Sequence, residues 1–458
     1  MKILELCRNS GILLLIVICS SCNKDWLNAK PNKALVIPTT IADYQALLDN
    51  TDPGMNSQSP GLSMVGDGDL IATDASYAAL SQVERSTYIW APTENFFGGQ
   101  GNADWALAYS RILNDNVALD GIQSINIAPG SQTAYNNVKG SALFYRSFDF
   151  YNLAQEYCKV YLSFTASTDL GLPLRTSPNI NLTVTRATLQ QTYDQIINDL
   201  LAAAPMLPVT PLFPTRPSKP AVFGLLSRVY LSQQNYSKAF LYADSCLQIQ
   251  NGLMDFNQLD PTLANPILQF NKEVIYSCTI GQYLAFRNGY LVVDSTLLNS
   301  YAKNDLRNTI YFFNMSGYPS FQGTYSGNSY ALFSGIATDE MYLTRAECYA
   351  RAGNSAAALN DLNTLLKNRF VTGTYTNVIA ANADSALSVV LKERRKELCF
   401  RGLRWTDLRR LNLEQRFQTT LKRTVSGQIF TLPPNSPMYV LPLDPIEIQL
   451  GGLQQNPR

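Results

Sequence analysis

Histidine is missing from all 458 residues of this chain. Its absence excludes Ser-His-Asp and Cys-His catalytic arrangements, imidazole zinc ligands and the usual general base near neutral pH. Any catalysis would have to use carboxylate, lysine, tyrosine or cofactor chemistry, and we predict neither a cofactor nor a metal. A pair of carboxylates could serve a glycosidase, but no pair in this sequence is marked out by its spacing.

Charged residues are scarce and balanced. They make up 16% of the chain, and the net charge of +1 argues against nucleic acid or another polyanion as a partner. The hydrophobic share of 46% is enough for a sizeable core and does not fit a disordered chain. By length the chain would hold two to four domains of roughly 100–200 residues, although one large helical domain is also possible.

Cysteines occur without the short repeated spacings of metal knuckles or disulfide frameworks. Of the eight, Cys7, Cys19 and Cys22 lie near the N-terminus, and the other five are scattered singly. We therefore predict that these five are mostly buried, small apolar residues.

The N-terminus has the layout of a secretory signal. Lys2 and Arg8 precede the apolar run 12–18, and small residues lead to Cys22. Ser20-Ser21-Cys22 resembles a bacterial lipobox, so we predict a signal peptide at 1–21, lipidation of Cys22 and a tether at 22–40. An ordinary secretory signal cut nearby is the alternative. No later stretch offers the ~20 consecutive apolar residues of a membrane-spanning helix.

Helical periodicity dominates the rest of the chain. Apolar residues at i, i+3, i+4 and i+7 spacing predict the helices 41–48, 104–122, 134–157 and 189–201. Two helix-turn-helix units, at 218–250 and 339–369, are related by a shift of 119 positions that aligns Tyr230 with Tyr349 and Ala239 with Ala358. In each unit a large residue on the first helix and a small residue on the second let two antiparallel helices pack closely, which is a weak form of the tetratricopeptide pattern. Such units must stack on one another to bury their apolar faces.

Two regions lack long helical periodicity. Residues 251–337 are crowded with aromatic side chains among Gly, Ser and Asn, and the loops of 50–102 place aromatics beside glycines. Such insertions are typical of binding lobes on a rigid scaffold, although most of the rings could instead form a small core. The predicted ligand contacts are Trp90, Phe96, Phe97, Tyr283, Phe286, Tyr290, Tyr318, Phe321 and Tyr325.

The most charged passage, residues 391–410, predicts a helix that stops at Gly402 and is followed by a further turn or two. Acidic and basic side chains alternate at i,i+3 and i,i+4 distances, which favours pairing within the helix or with a neighbour over a basic patch. We therefore predict that this passage is a helix with a sharp corner at Gly402 and that its charged residues have a structural role. Its structural residues are Glu393, Arg394, Glu397, Arg404, Trp405 and Asp407.

Several passages taken together resemble the SusD/RagB family of nutrient-binding outer-membrane lipoproteins. They follow the family's order over nearly the whole mature chain. They are Cys22 with Asp25-Trp26-Leu27, Trp105 to Asn116, Ala142 to Leu153, Leu226-Ser227-Arg228-Val229-Tyr230-Leu231 with Tyr236 and Ala239, Glu340 to Glu347, Glu393 to Leu398 with Gly402, Arg404, Trp405 and Asp407, and Pro442 to Pro457.

The resemblance implies a mostly α fold, in which a tetratricopeptide-like solenoid at about 103–250 and 338–412 carries an irregular ligand-binding lobe at about 251–337, within one domain spanning 41–458. It also implies a lipid-anchored, surface-exposed outer-membrane protein that binds an oligosaccharide or polysaccharide and partners a SusC-like TonB-dependent barrel transporter, without catalysis. Two alternatives stay open from the residues themselves. One is a scaffold or binder of a non-glycan nutrient such as peptide, and the other is a carboxylate-dependent glycosidase.

Overall fold

The computed structural model describes residues 38–290 and 292–458. The predicted signal peptide, Cys22 and most of the predicted tether lie outside these residues. Helices follow one another along nearly the whole described chain. They are α1 Ile41–Leu48, α2 Leu62–Val65, α3 Asp74–Ala79, α4 Gln82–Tyr88, α5 Ala103–Ile122, α6 Gln132–Tyr157, α7 Leu189–Ala203, α8 Lys219–Ser232, α9 Tyr236–Leu247, α10 Ser295–Leu298, α11 Arg307–Ile310, α12 Thr338–Arg351, α13 Ser355–Leu366, α14 Ala383–Glu397, α15 Arg404–Leu411 and α16 Pro445–Gly451.

Local capping residues explain where several helices begin. The side chain of Thr188 accepts from the backbone N–H of Gln191, whose side chain accepts from the N–H of Thr188, so the two residues form a capping box at the start of α7. In the two repeat units, Asn235 and Asn354 occupy equivalent N-cap positions of α9 and α13. The predicted helices of both units, with turns at 234–235 and 353–354, are therefore confirmed.

The two repeat units stack directly on each other even though a long insertion separates them in sequence. Helix α9 of the first unit lies against α12 of the second. Phe240 meets Tyr349 edge to face with ring centroids 4.8 Å apart, and Arg345 binds Asp244 at 2.7 Å. The aligned alanines Ala239 and Ala358 are both fully buried, as expected where helices of a helical-pair solenoid pack closely.

Short antiparallel strand pairs build the region between the repeats and tie it to other loops. The pairs are β1 Leu70–Ile71 with β5 Val292–Val293, β2 Leu170–Pro173 with β3 Arg186–Thr188, β4 Val274–Tyr276 with β8 Ile336–Ala337, β6 Phe312–Met315 with β7 Tyr318–Phe321, and β9 Leu421–Val425 with β10 Gln428–Leu432. Three of these pairs, β1–β5, β4–β8 and β6–β7, include strands from residues 251–337, so this lobe is built with short strands.

The C-terminal passage is more regular than the sequence suggests. Residues 419–458 contain the β9–β10 hairpin, and helix α16 begins at Pro445. The five cysteines within the described residues are free and buried, as predicted. Residues Thr40–Arg458 form one compact unit. No helix of the described residues is long and apolar enough to cross a membrane.

Candidate ligand-binding surface

The β6–β7 hairpin carries aromatic side chains to the edge of the lobe. Its register runs from Phe312 opposite Phe321 to Met315 opposite Tyr318. The two turn residues, Ser316 and Gly317, both have left-handed backbone angles, with φ of +55° and +91°. A two-residue turn of this kind matches the natural twist of a hairpin, so the tip holds a defined geometry.

A second strand pair lies beside this hairpin. Strand β5 pairs with β1 and lies against β7, so residues near Ile71 and Tyr290 come close to the tip. A Cβ atom placed on Gly289 would lie 3.9 Å from Cε of Met315. We refer to Ile71, Tyr290, Met315 and Tyr318 as the tip surface. Tyr318 is 50% exposed, Met315 37% and Ile71 36%, and Tyr290 is half-buried.

Of the nine predicted ligand contacts, only three keep a ring partly open to solvent. Tyr318 is exposed, and Tyr283 and Tyr290 are half-buried. The other six belong to the core, with exposures of 6% or less, so we do not carry them forward as ligand contacts. They are Trp90, Phe96, Phe97, Phe286, Phe321 and Tyr325.

Specific contacts hold the six rings inside. Trp90 donates its indole N–H to the carbonyl of Gly66 at 3.0 Å. The ring of Phe321 packs on Phe400 with centroids 4.6 Å apart, and the hydroxyl of Tyr325 donates to Glu273 at 2.5 Å. A buried ring with such partners cannot turn outward without leaving a cavity or an unpaired polar group.

Tyr283 is held from below by a buried pair of acids. Its hydroxyl donates to Asp104, and Asp104 lies close to Glu156. Asp104 also accepts from the N–H groups of Gly61 and Leu62, at 2.8 and 2.7 Å. Burial raises the pKa of both acids, and repulsion from Asp104 raises that of Glu156 further. This cluster positions Tyr283 and the loop before α2.

The charged corner supports the β1–β5 pair directly. Arg395, on α14, binds Asp69 at 2.8 Å and lies 3.6 Å from Asp294. Asp69 immediately precedes β1 and Asp294 immediately follows β5, and the N–H of Asp294 donates to the carbonyl of Asp69 at 2.9 Å. One guanidinium group thus joins the two strands at one end of the pair that carries part of the tip surface.

Replacing this guanidinium by an ammonium group should loosen the strand pair without removing its charge. Arg395 binds Asp69 through two guanidinium nitrogens, and in Arg395→Lys a single ammonium on a shorter reach replaces this paired contact. We therefore expect faster hydrogen exchange at the Asp294 amide by about tenfold. The free energy of unfolding should fall by only about 1 kcal/mol, since Asp69 keeps a cation nearby. Hydrogen exchange by NMR tests this, with Arg416→Lys in an exposed ion pair as control. Unchanged exchange at Asp294 would show that Arg395 does not fasten the strands.

The remaining corner residues pair with distant segments rather than with solvent. Glu393 binds Arg307 at 2.7 Å, and Arg394 binds Asp407 at 2.8 Å. Burial opposes the ionised form of Asp407, but Arg394 and Arg410 outweigh it and hold the pKa of this carboxyl below its usual range. Trp405 is buried and Arg404 is half-buried, and Nε of Arg404 and the indole nitrogen of Trp405 have no hydrogen-bond partner among the described residues.

The ligand contacts predicted from the sequence did not include two members of the tip surface, Ile71 and Met315. A turn signal was present, because Ser316-Gly317 between aromatic segments is typical of a hairpin tip.

Among the described residues we find no group of three or more acidic or cysteine side chains arranged to hold a metal ion.

Two family models match the chain. One is described as starch-binding associating with outer membrane and matches residues 25–231, and the other is described as the SusD family and matches residues 275–457. The SusD-like protein P2 of Formosa agariphila is 25% identical over 236 residues, which cover 50% of this chain and 43% of that relative. The match therefore spans less than half of the relative's length.

Solved structures share the fold over nearly the whole chain. A SusD superfamily protein from Bacteroides vulgatus gives a TM-score of 0.74 at 19% identity, covering 92% of this chain and 99% of its own. Another, from Bacteroides thetaiotaomicron, gives 0.71 at 20% identity, covering 92% and 100%. Surface glycan-binding protein A from Bacteroides uniformis gives 0.68 at 17% identity, covering 91% and 99%. The two family matches, at residues 25–231 and 275–457, show that the chain belongs to the SusD/RagB family.

Proposed function

We propose that this protein captures an oligosaccharide or polysaccharide at the cell surface and delivers it to a SusC-like TonB-dependent barrel transporter in the outer membrane. Membership of the SusD/RagB family supports the proposal, as does the description of the model that matches residues 25–231. The protein acts by binding and not by catalysis. Lipidated Cys22 anchors it to the membrane while the compact unit Thr40–Arg458 remains in water.

The observation that carries the proposal is the pair of tyrosines on the tip surface. Tyr318 lies on β7 and Tyr290 lies just before β5, and aromatic rings lose little conformational freedom on binding. The C–H faces of sugar rings stack on exposed aromatic rings such as that of Tyr318, and the tyrosine hydroxyls can exchange hydrogen bonds with sugar hydroxyls. An open surface of this kind suits a segment of a long polymer.

Removing both rings should weaken glycan binding strongly. A protein spanning residues 23–458 would be screened against a panel of polysaccharides and oligosaccharides, and the Kd of each binder measured by calorimetry. For Tyr290→Ala with Tyr318→Ala we expect at least a tenfold increase in Kd, about 1.4 kcal/mol, with an unchanged melting temperature. The matched control is Phe164→Ala, because Phe164 is 79% exposed but lies between α6 and β2, outside the lobe.

Two outcomes would count against the proposal. Equal loss of binding in the Phe164→Ala control would mean that the tip surface is not the site. A panel without any binder would favour a non-glycan nutrient such as peptide. The aliphatic side chains of Ile71 and Met315 beside the tyrosines suit apolar peptide side chains, so the same double variant should then be tested against peptides.

A further inference from the structure

A cavity on the helical scaffold is built very differently from the tip surface. It has a volume of about 460 Å³ and lies between the loop that follows α6, the end of α15 and residues 435–440. This volume falls within the usual range of about 300–1,000 Å³ for small-molecule sites. Its walls are mostly apolar and are formed by Val160, Leu162, Leu413, Pro437 and Val440.

A buried cation lies in the wall of this cavity. Arg409 is 4% exposed and donates from its two terminal nitrogens to the carbonyl oxygens of Gln155 and Cys158, at the end of α6. Among the described residues no ion pair includes Arg409, and its buried Nε has no partner. The other buried arginines of the corner, such as Arg394 and Arg410, each bind a carboxylate.

The surroundings compensate this charge only in part. The C-terminal carbonyls of a helix carry roughly half a negative charge, which leaves part of the guanidinium charge unbalanced. Burial lowers the pKa of Arg409, as expected for a cation without an anionic partner. The other two charged residues of the lining cancel each other, since Lys159 binds Asp169 at 2.7 Å. The cavity as a whole is therefore apolar with a net positive wall.

We propose that this cavity binds a small monocarboxylate with an apolar body, whose carboxylate faces Arg409 and whose apolar part lies against Leu162, Leu413 and Val440. A single anionic group matches the single uncompensated cation. The mostly apolar walls disfavour a sugar, because most of its hydroxyls would lose water without gaining partners. The site is thus separate from the glycan surface and does not depend on it.

A comparison of two probes of equal length tests the charge requirement. Octanoate and octanamide would be titrated at pH 7.5 into the protein spanning residues 23–458, which contains the whole compact unit Thr40–Arg458. We expect a Kd for octanoate at least tenfold lower than for octanamide. In Arg409→Gln this preference should fall below about twofold.

A second variant tests whether octanoate binds in this cavity and does not depend on changing Arg409. Leu162 is half-buried, so Leu162→Trp should fill the cavity without disturbing the core, and we expect the Kd of octanoate to rise at least tenfold. Leu212→Trp is the control, because Leu212 is 68% exposed and does not line the cavity, and it should leave the Kd unchanged. Equal affinity for the two probes, no octanoate binding at millimolar concentration, or unchanged binding in Leu162→Trp would each overturn the proposal. Glycan binding measured on the same Leu162→Trp sample should be normal, which separates this site from the proposed function.

Discussion

Glu397→Gln should destabilise the protein by about 3–5 kcal/mol, since it breaks a fully buried ion-pair network. Glu397, Arg307 and Arg369 have no exposed side-chain area. One carboxylate oxygen of Glu397 accepts from Nε of Arg369 at 2.8 Å, and the other accepts from Nη1 of Arg307 at 2.9 Å. Because both oxygens are used, the amide nitrogen of glutamine would face an N–H donor in either orientation.

The loss of unfolding free energy in Glu397→Gln should become smaller as the pH falls. Burial opposes ionisation of Glu397, but Arg369 and Arg307 outweigh it and lower the pKa to about 2. A carboxyl with a depressed pKa in the folded state contributes stability above its unfolded pKa, here near 4.5, and loses it as the pH falls toward 2. The difference between wild type and Glu397→Gln should therefore be largest above about pH 5 and shrink at lower pH.

Urea unfolding measured between pH 2 and pH 7 checks both the size of this destabilisation and its dependence on pH. Asp384→Asn is the matched control, because Asp384 also binds an arginine, Arg416 at 2.7 Å, but is 81% exposed. An exposed pair of this kind contributes less than about 1 kcal/mol. If Glu397→Gln cost no more than Asp384→Asn at pH 7, the buried network would not stabilise the fold.

Cys22→Ala should move the protein from the membrane fraction to the soluble fraction. Each acyl methylene buried in a bilayer contributes about 0.8 kcal/mol, so loss of the lipids removes nearly all of the membrane affinity. The described part of the chain offers no membrane-spanning helix as a substitute. Cys19→Ala is the natural control, because it changes a neighbouring cysteine to the same small residue and should leave the protein anchored.

Fractionation of cells followed by immunoblotting measures the distribution of each variant. Incorporation of a labelled fatty acid should occur in wild type and Cys19→Ala but not in Cys22→Ala. Membrane retention of Cys22→Ala at the wild-type level would contradict the lipid anchor and would favour an ordinary secretory signal with another means of attachment.

Helices and their boundaries could be predicted because their signals are local. The stripe that begins at Leu189 ends before Pro205, and the observed helix is Leu189–Ala203. Asn235 and Asn354 cap their helices in the two repeats through contacts within one turn. Such periodicity and capping depend on neighbours three or four residues away, which the sequence contains in full.

The β9–β10 hairpin and helix α16 escaped prediction for the opposite reason. The hairpin has only five residues in each strand, and Arg423 reaches from it to the carbonyls of Val65 and Leu70, far away in the chain. Short strands of this kind are stabilised mainly by tertiary contacts, so their sequence pattern is weak.

The sequence by itself determined the helical scaffold, the repeat units and the family. It also determined that the 251–337 lobe is rich in aromatic side chains. Only the tertiary structure decided which of these rings are available to a ligand. Phe321 is buried by Phe400, and Tyr325 by Glu273 and Asp339, whereas Tyr318 has no such cover at the hairpin tip. Burial is set by partners that lie far apart in the chain, and composition carries no information about which distant residue will cover which ring.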